Sequence, residues 1–349
     1  MKKIFLVVIM LLLSGCNYLE LNNIGIVTLM AINYDNNNYN ITLEIKENIK
    51  DNDNASIIHT ASGSSIEKAL QELELTVDKN LYFIDLNVIL IDENTINQKI
   101  TSIIDYLTRD VTFGTNFNII IDNNSEETIK LIKDKNKIVG EYIKNIFNNN
   151  SNNVINYKFD KFLKDYLSEF KDVTLPLGKI QNEEYTINEA VIFHNKKIVQ
   201  NINLDEIQIY NLLNNTKSEY FFKINYQNKS LVYRVSTHKT NTDYNDKINL
   251  NLKLNGSFIE IEDINMLNNE NLKEILNILE NKIKKDINDL ISILKTSESD
   301  ILAFKKMYYN QNRTKITSIK NLKYNINLDL SLNREGLIFN SIGDLYEKN

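Results

Sequence analysis

A chain of 349 residues with a formal net charge of −6, one cysteine, one proline and no tryptophan excludes several classes at once. The excess of acid argues against nucleic-acid binding and against a polybasic membrane surface. A single cysteine rules out an intramolecular disulfide or a cysteine-built metal site, and a hydrophobic share of 42% is ordinary for a globular protein of two or three domains.

The N-terminus has three parts. Met1-Lys2-Lys3 is positive, Ile4 to Leu13 is an unbroken apolar run, and Leu13-Ser14-Gly15-Cys16 closes it with small residues before the cysteine. This order predicts a secretory signal peptide over residues 1–15. The apolar run is too short to span a bilayer, which takes about 20 residues. The Leu-Ser-Gly-Cys ending resembles the bacterial lipobox. That resemblance implies cleavage before Cys16, a diacylglyceryl thioether on its sulfur and a palmitoyl group beside it. Several acyl chains on one residue supply the dual signal that stable anchoring needs, at about 0.8 kcal/mol per buried methylene. The expected location is the extracytoplasmic face of a membrane, with the rest of the chain folded in water.

Residues 17–23 read as a short tether. Ile24 to Ile32 is an apolar strand, Asp35-Asn36-Asn37-Asn38 a turn, and Tyr39, Ile41, Leu43 and Ile45 alternate with Asn40, Thr42, Glu44 and Lys46. The period of two predicts a half-buried strand with the second set facing water, paired as a hairpin. A polar loop follows over 47–54. Ser64-Ser65-Ile66-Glu67 has capping-box spacing ahead of a helical face of Ile66, Ala69, Leu70, Leu73 and Val77. Leu86 to Ile91 is a buried strand. Thr95 with Gln98 is placed to cap a helix whose apolar face is Ile96, Ile100, Ile103, Ile104 and Leu107. A strand over Phe117 to Ile121 and a helix over Ser125 to Ile132 follow, so residues 60–132 predict a mixed sheet with crossover helices.

Helices at about 136–148 and 158–170 flank a polar, low-complexity loop, and Leu175-Pro176-Leu177-Gly178 then punctuates the chain. The second half opens with strands at Glu189 to Phe193, Glu219 to Tyr226 and Leu231 to Ser236. Ile248, Leu250, Leu252 and Leu254 alternate cleanly, and so do Leu322, Tyr324, Ile326, Leu328, Leu330 and Leu332. Between them Leu272, Ile275, Leu276, Leu279, Ile283, Ile287, Leu290, Ile291 and Leu294 form one stripe of a long helix at 270–295. The fold class is α+β and multi-domain, with mixed sheets and packed helices. The expected division is 1–15 signal peptide, 16–175 N-terminal part and 176–349 C-terminal part. The second half is expected to be antiparallel with the long helix covering it.

Catalytic chemistry has little to stand on. His59, His194 and His238 are scattered, none with a second ligand at metal spacing. Nine glycines include no phosphate-cradling loop, and helix capping explains Ser62-Gly63-Ser64-Ser65 better than a nucleophile elbow. Glu260, Glu262 and Asp263 read as a solvated strand end, and Arg109-Asp110 as an ion pair tying a helix to the next turn. The expectation is a protein that is not an enzyme, with no metal, no catalytic residue and no cofactor beyond the lipid on Cys16.

The order of motifs resembles the Ger(x)C family, the lipoprotein C subunits of spore germinant receptors. After Cys16 comes Glu20-Leu21-Asn22-Asn23-Ile24-Gly25-Ile26-Val27, then a helix opened by Gly63-Ser64-Ser65-Ile66-Glu67-Lys68-Ala69-Leu70. A helix ending Ile104-Asp105-Tyr106-Leu107-Thr108-Arg109-Asp110 follows, then Leu175-Pro176, Gly256-Ser257-Phe258-Ile259-Glu260, Asp300-Ile301-Leu302-Ala303-Phe304 and Arg334-Glu335-Gly336. The family's Trp-Asp after the cysteine is replaced by Asn17-Tyr18, and its aspartate after Ile32 is Asn33. The resemblance implies a three-domain α+β architecture, a place on the outer surface of the spore inner membrane, and partners in integral membrane A- and B-type receptor subunits. The competing reading is a solute-binding lipoprotein of a transporter, for which a two-lobed fold would be expected.

Overall fold

The computed structural model describes residues 23–47, 55–150, 152–261 and 269–333. The signal peptide, Cys16, Glu262, Asp263 and Arg334-Glu335-Gly336 lie outside the described residues. Asn36 and Asn37, with φ of 49° and 63°, turn β1 (Ile24–Asp35) back into β2 (Asn38–Lys46). Two consecutive left-handed residues match the twist of the flanking strands, and asparagine tolerates that conformation better than most side chains. β3 (Ser56–Gly63) adds antiparallel to β2. The sequence reading has no strand there, because Ser56, His59, Thr60 and Ser62 carry no apolar alternation.

Beyond β1 the sheet continues through β5 (Val88–Ile91), β6 (Asn118–Ile121), β7 (Thr174–Gln181), β8 (Glu184–His194) and β9 (Lys197–Ile202). The order is β3-β2-β1-β5-β6-β7-β8-β9, with β4 (Asn80–Tyr82) beside the start of β1, nine strands in all. β1, β5, β6 and β7 run parallel. β5 and β6 are buried at every residue, as central parallel strands covered on both faces must be. Successive residues feed two cores. Met30, Ile32, Ile89, Ile91, Ile119 and Ile121 face α1 (Ile66–Glu74), α2 (Glu93–Arg109) and α5 (Phe159–Tyr166). Leu29, Ala31, Val88, Leu90 and Ile120 face α3 (Ser125–Asp134) and α4 (Val139–Asn149).

Leu175-Pro176-Leu177-Gly178, where the sequence places the division of the chain, forms β7 itself. Pro176 pairs with Ala190 of β8, and the ladder toward β6 holds a single registered pair, Ile121 with Leu177. A residue without an N–H is tolerated where the ladder is this sparse. The sheet therefore runs through residue 176 rather than stopping there.

The second unit is a four-stranded sheet, β10 (Tyr220–Tyr226), β11 (Lys229–Asn245), β12 (Lys247–Ile261) and β13 (Tyr324–Leu332), in that order. α6 (Leu204–Leu213), α7 (Asn269–Thr296) and α8 (Phe304–Asn312) complete it. α7 buries Ile275, Leu279, Ile283, Ile287, Leu290, Ile291 and Leu294 of its stripe, while Leu272 and Leu276 at its N-terminal end are only half-buried. β13 is parallel to β12, against the expected antiparallel half. α7 and α8 carry the chain back along the sheet, and such a crossover returns a strand in the direction of its neighbour.

Glu44 corrects another expectation. It sits at a position that alternation assigns to water, yet it is fully buried. Its carboxylate accepts from Thr28 Oγ1 and Ser56 Oγ at 2.7 Å, and from the amides of Val139 and Gly140 at 2.8 and 2.9 Å. The amides belong to the first turn of α4, where the helix dipole favours an anion. Gly140 makes the approach possible, since a Cβ there would stand 2.2 Å from the Thr28 carbonyl oxygen. Glu44→Gln places an amide among donors and is expected to cost about 2 kcal/mol. Gly140→Ala is expected to cost roughly 1–3 kcal/mol through overpacking. Urea unfolding midpoints at constant slope check both.

Candidate functional site

Two motifs far apart in the chain meet over one groove. α1 starts abruptly because Gly63 lets it fold back on β3: a Cβ there would lie 2.4 Å from the Ala69 nitrogen. Its N-cap is Ser65, which accepts from Lys68 N at 3.2 Å, not Ser64 with Glu67 as the spacing suggests. Glu67 instead accepts from Gln71 and, at 3.0 Å, from the Tyr106 hydroxyl. α2 is capped by Asp92, which accepts from Thr95 N at 2.8 Å. Thr95 Oγ1, expected to serve as that cap, receives the Tyr34 amide. At the other end Arg109 turns back on its own helix, with Nε 2.9 Å from both Asp105 oxygens. The expected Arg109-Asp110 pair does not form; Asp110 accepts from Thr112 N and its hydroxyl and from Tyr106.

The groove between these elements has a volume of about 440 Å³, with Tyr39, Ile66 and Tyr106 among its walls and Glu67, Asp105, Arg109 and Asp110 at its rim. Burial, and then the neighbouring Glu67, hold the Tyr106 hydroxyl protonated well above the usual tyrosine range. The hydrogen bond from Arg109 holds the Asp105 carboxyl below its ordinary value. Three carboxylates against one guanidinium suit the groove to a side chain with an apolar body and a cationic end.

A second cluster joins the two units. The Asp172 amide donates to the Asp300 carbonyl at 3.0 Å, and the Asp300 amide returns a bond of 2.7 Å to Asp172 Oδ2. His194 Nδ1 stands 3.4 Å and Lys305 Nζ 3.7 Å from the same oxygen. Ser299 donates to the Phe193 carbonyl at 2.7 Å. The Asp300 carboxylate, fully buried, caps α8 by accepting from Phe304 N and Lys305 N at 2.8 and 2.7 Å. It holds Ala303 in the left-handed region at φ 60°.

The chain matches the family of spore germination protein N-terminal domains over residues 17–180, and that described as spore germination B3/GerAC like, C-terminal, over residues 188–336. This chain belongs to the Ger(x)C family of spore germination proteins. It is 22% identical to the spore germination protein GerQC of Bacillus cereus over 301 residues, covering 80% of this chain and 83% of that protein. The crystal structure of the GerBC protein has a similar fold, with a TM-score of 0.53 and 14% identity, covering 87% of this chain and 96% of that one.

Three of the family motifs fall at structural joints, while Leu175-Pro176 and Gly256 to Glu260 lie within β7 and β12. The helix-opening Gly63-Ser64-Ser65 and the Arg109-Asp110 ending build the groove, and Asp300 to Phe304 build the junction. The histidines are not brought together: His59 is on β3, His194 meets Asp172, and His238 sets its ring edge-on to Tyr220 at 5.0 Å. Among the described residues no group of three or more His, Cys, Asp or Glu is placed to hold a metal, and no helix is long and apolar enough to cross a membrane. Sequence reasoning missed Glu44 and Asp172, which no periodicity marks.

Burial pushes the Asp300 carboxyl up to about 6, against the two amides and Lys305, which lower it, and with Asp172, which raises it. The folded state therefore binds this proton more tightly than the unfolded chain. The stability so contributed is fully present below pH about 4 and is lost as pH rises through about 6. Asp300→Asn removes that component. The stability difference between wild type and variant should shrink by up to roughly 3 kcal/mol from pH 4 to pH 7, read from urea midpoints across pH. Ala303→Gly, which relieves the left-handed backbone, is expected to stabilise by about 1 kcal/mol in the same assay.

Proposed function

We propose that this protein is the lipid-anchored C subunit of a spore germinant receptor, held by Cys16 on the extracytoplasmic face of the spore inner membrane. It assembles there with integral membrane A- and B-type subunits and takes part in relaying the nutrient signal. The observation that carries this reading is the tiling of both family halves, in order, over residues 17–336 directly after Cys16. The character of the surfaces supports it too. Around the groove and the junction the polar groups are engaged with one another, an arrangement suited to holding shape and meeting a partner.

The lipid has a physical task in such a subunit. Confining the chain to one plane with its partners raises their effective concentration, so a weak contact suffices for assembly. Cys16→Ala is expected to move the protein from the membrane to the soluble fraction of spores and to abolish the nutrient response. Normal nutrient germination by the unlipidated variant would sink the tethering reading. Loss of uptake of one solute with germination intact would favour the transporter reading instead.

A further inference from the structure

β1, β4, β5 and β6 are parallel and start at one end of the sheet. Ile24 is level with Asn80, Ile26 with Tyr82, Leu29 with Val88 and Val88 with Asn118. The segments leading into β5 and β6 meet at that end. The rings of Phe83 and Phe113 are tilted together at 4.5 Å, Tyr106 stands edge-on to Phe113, and Gly114 lies against the Ile84 carbonyl. Asp110 fixes the second segment by accepting from Thr112 N and Oγ1 at 2.9 and 2.7 Å. This buried aromatic support turns two apolar side chains outward: Val111 is 95% exposed and Ile84 57%. Leu75, five residues before β4, is 80% exposed. Scattered apolar residues need no explanation, but these are presented by paired, braced loops.

The same end receives the chain from Cys16. Seven residues lie between Cys16 and Ile24, and the eight Cα–Cα steps span at most about 29 Å when extended. The first turn of α2 lies at the other end, a helix length or about 25 Å away. The chain from Cys16 enters the body at Ile24, so the Ile84–Val111 end is the nearer one to a lipid on Cys16, and only a tether drawn out to nearly its full reach would bring the far end to the bilayer. Asp78, Lys79, Asp85, Arg109 and Asp110 flank the two loops, so the charge there is mixed and gives no preference for anionic lipid.

We propose that the loop pair built around Ile84 and Val111 docks into the headgroup layer of the membrane that carries the Cys16 lipid, its occupant being the phospholipid surface itself. This rests on the reading of Cys16 as the lipid anchor. The body then stands with β1, β5 and β6 rising from the bilayer and α2's first turn farthest from it.

The chain contains no tryptophan, so Val111→Trp and Ile84→Trp each introduce a lone indole. The lipidated full-length variants are reconstituted in phosphatidylcholine vesicles with and without acyl chains brominated near the headgroup. Expected are a blue-shifted emission and about twofold quenching at both positions, unchanged by salt or by added anionic lipid. Asn94→Trp, at an exposed position in the first turn of α2, should emit as in water and remain unquenched. If the protein floats with vesicles but the indoles introduced at Val111 and Ile84 emit as in water, the docking is overturned and the anchor stands. If the protein fails to float, the anchor itself is wrong and the docking falls with it. Shielding of the indoles only after a membrane-protein partner is added would assign this face to protein and overturn the lipid occupant.

Discussion

The carboxylate of Glu44 has to find all its hydrogen bonds inside the protein, and that requirement organises the first sheet. Its donors come from Thr28 of β1, Ser56 of β3 and the first turn of α4. Removing one donor leaves a buried charge short of a partner, which costs several kcal/mol, so the four segments hold or fail together. Because β1 also carries β2, β4 and β5, its fixed position sets the register of the strands beyond it. Lys133 of α3 closes the arrangement by donating to Ser56 at 2.7 Å.

Asp300 repeats this logic in the second unit. There too a buried acid is satisfied chiefly by helix amides, and Asp172 locks the cap to the sheet, its amide and carboxylate both bonded to the Asp300 backbone. An acidic chain thus uses two of its carboxylates as internal fasteners under α4 and α8. Three of the family motifs, at Gly63 to Ser65, Arg109-Asp110 and Asp300 to Phe304, sit where elements join.

Much of this was legible in the sequence. Apolar runs at 86–91 and 117–121, each broken by a single asparagine, announce strands, and the stripe of α7 and the alternation of β12 and β13 need no tertiary knowledge. Direction was not legible: alternation in Tyr324 to Leu332 predicts a strand but says nothing about which way it lies. α6 was missed because it is buried on several sides, at Ile207, Ile209, Tyr210 and Leu212, which erases a clean helical period. Its capping box, Asn203 with Glu206, was the available signal. The family motifs could be read in order, but not that they would meet. Glu67 and Tyr106 are 39 residues apart, and Asp172 and Asp300 are 128 apart.

The asparagines at the hairpin turn belong to a wider habit. Asn36, Asn37, Asn136, Asn182, Asn195, Asn215 and Asn228 all adopt positive φ, in a chain with only nine glycines. Each costs something in the folded state that glycine would not, because of its Cβ. Each also leaves the unfolded chain with fewer conformations to lose, an effect of about 0.4–1 kcal/mol at compatible sites. An abundance of asparagine is thereby absorbed at little cost, since the turns trade backbone freedom before folding for strain after it. Among the described residues asparagine, rather than glycine, is thus the residue on which most of the chain's reversals of direction depend.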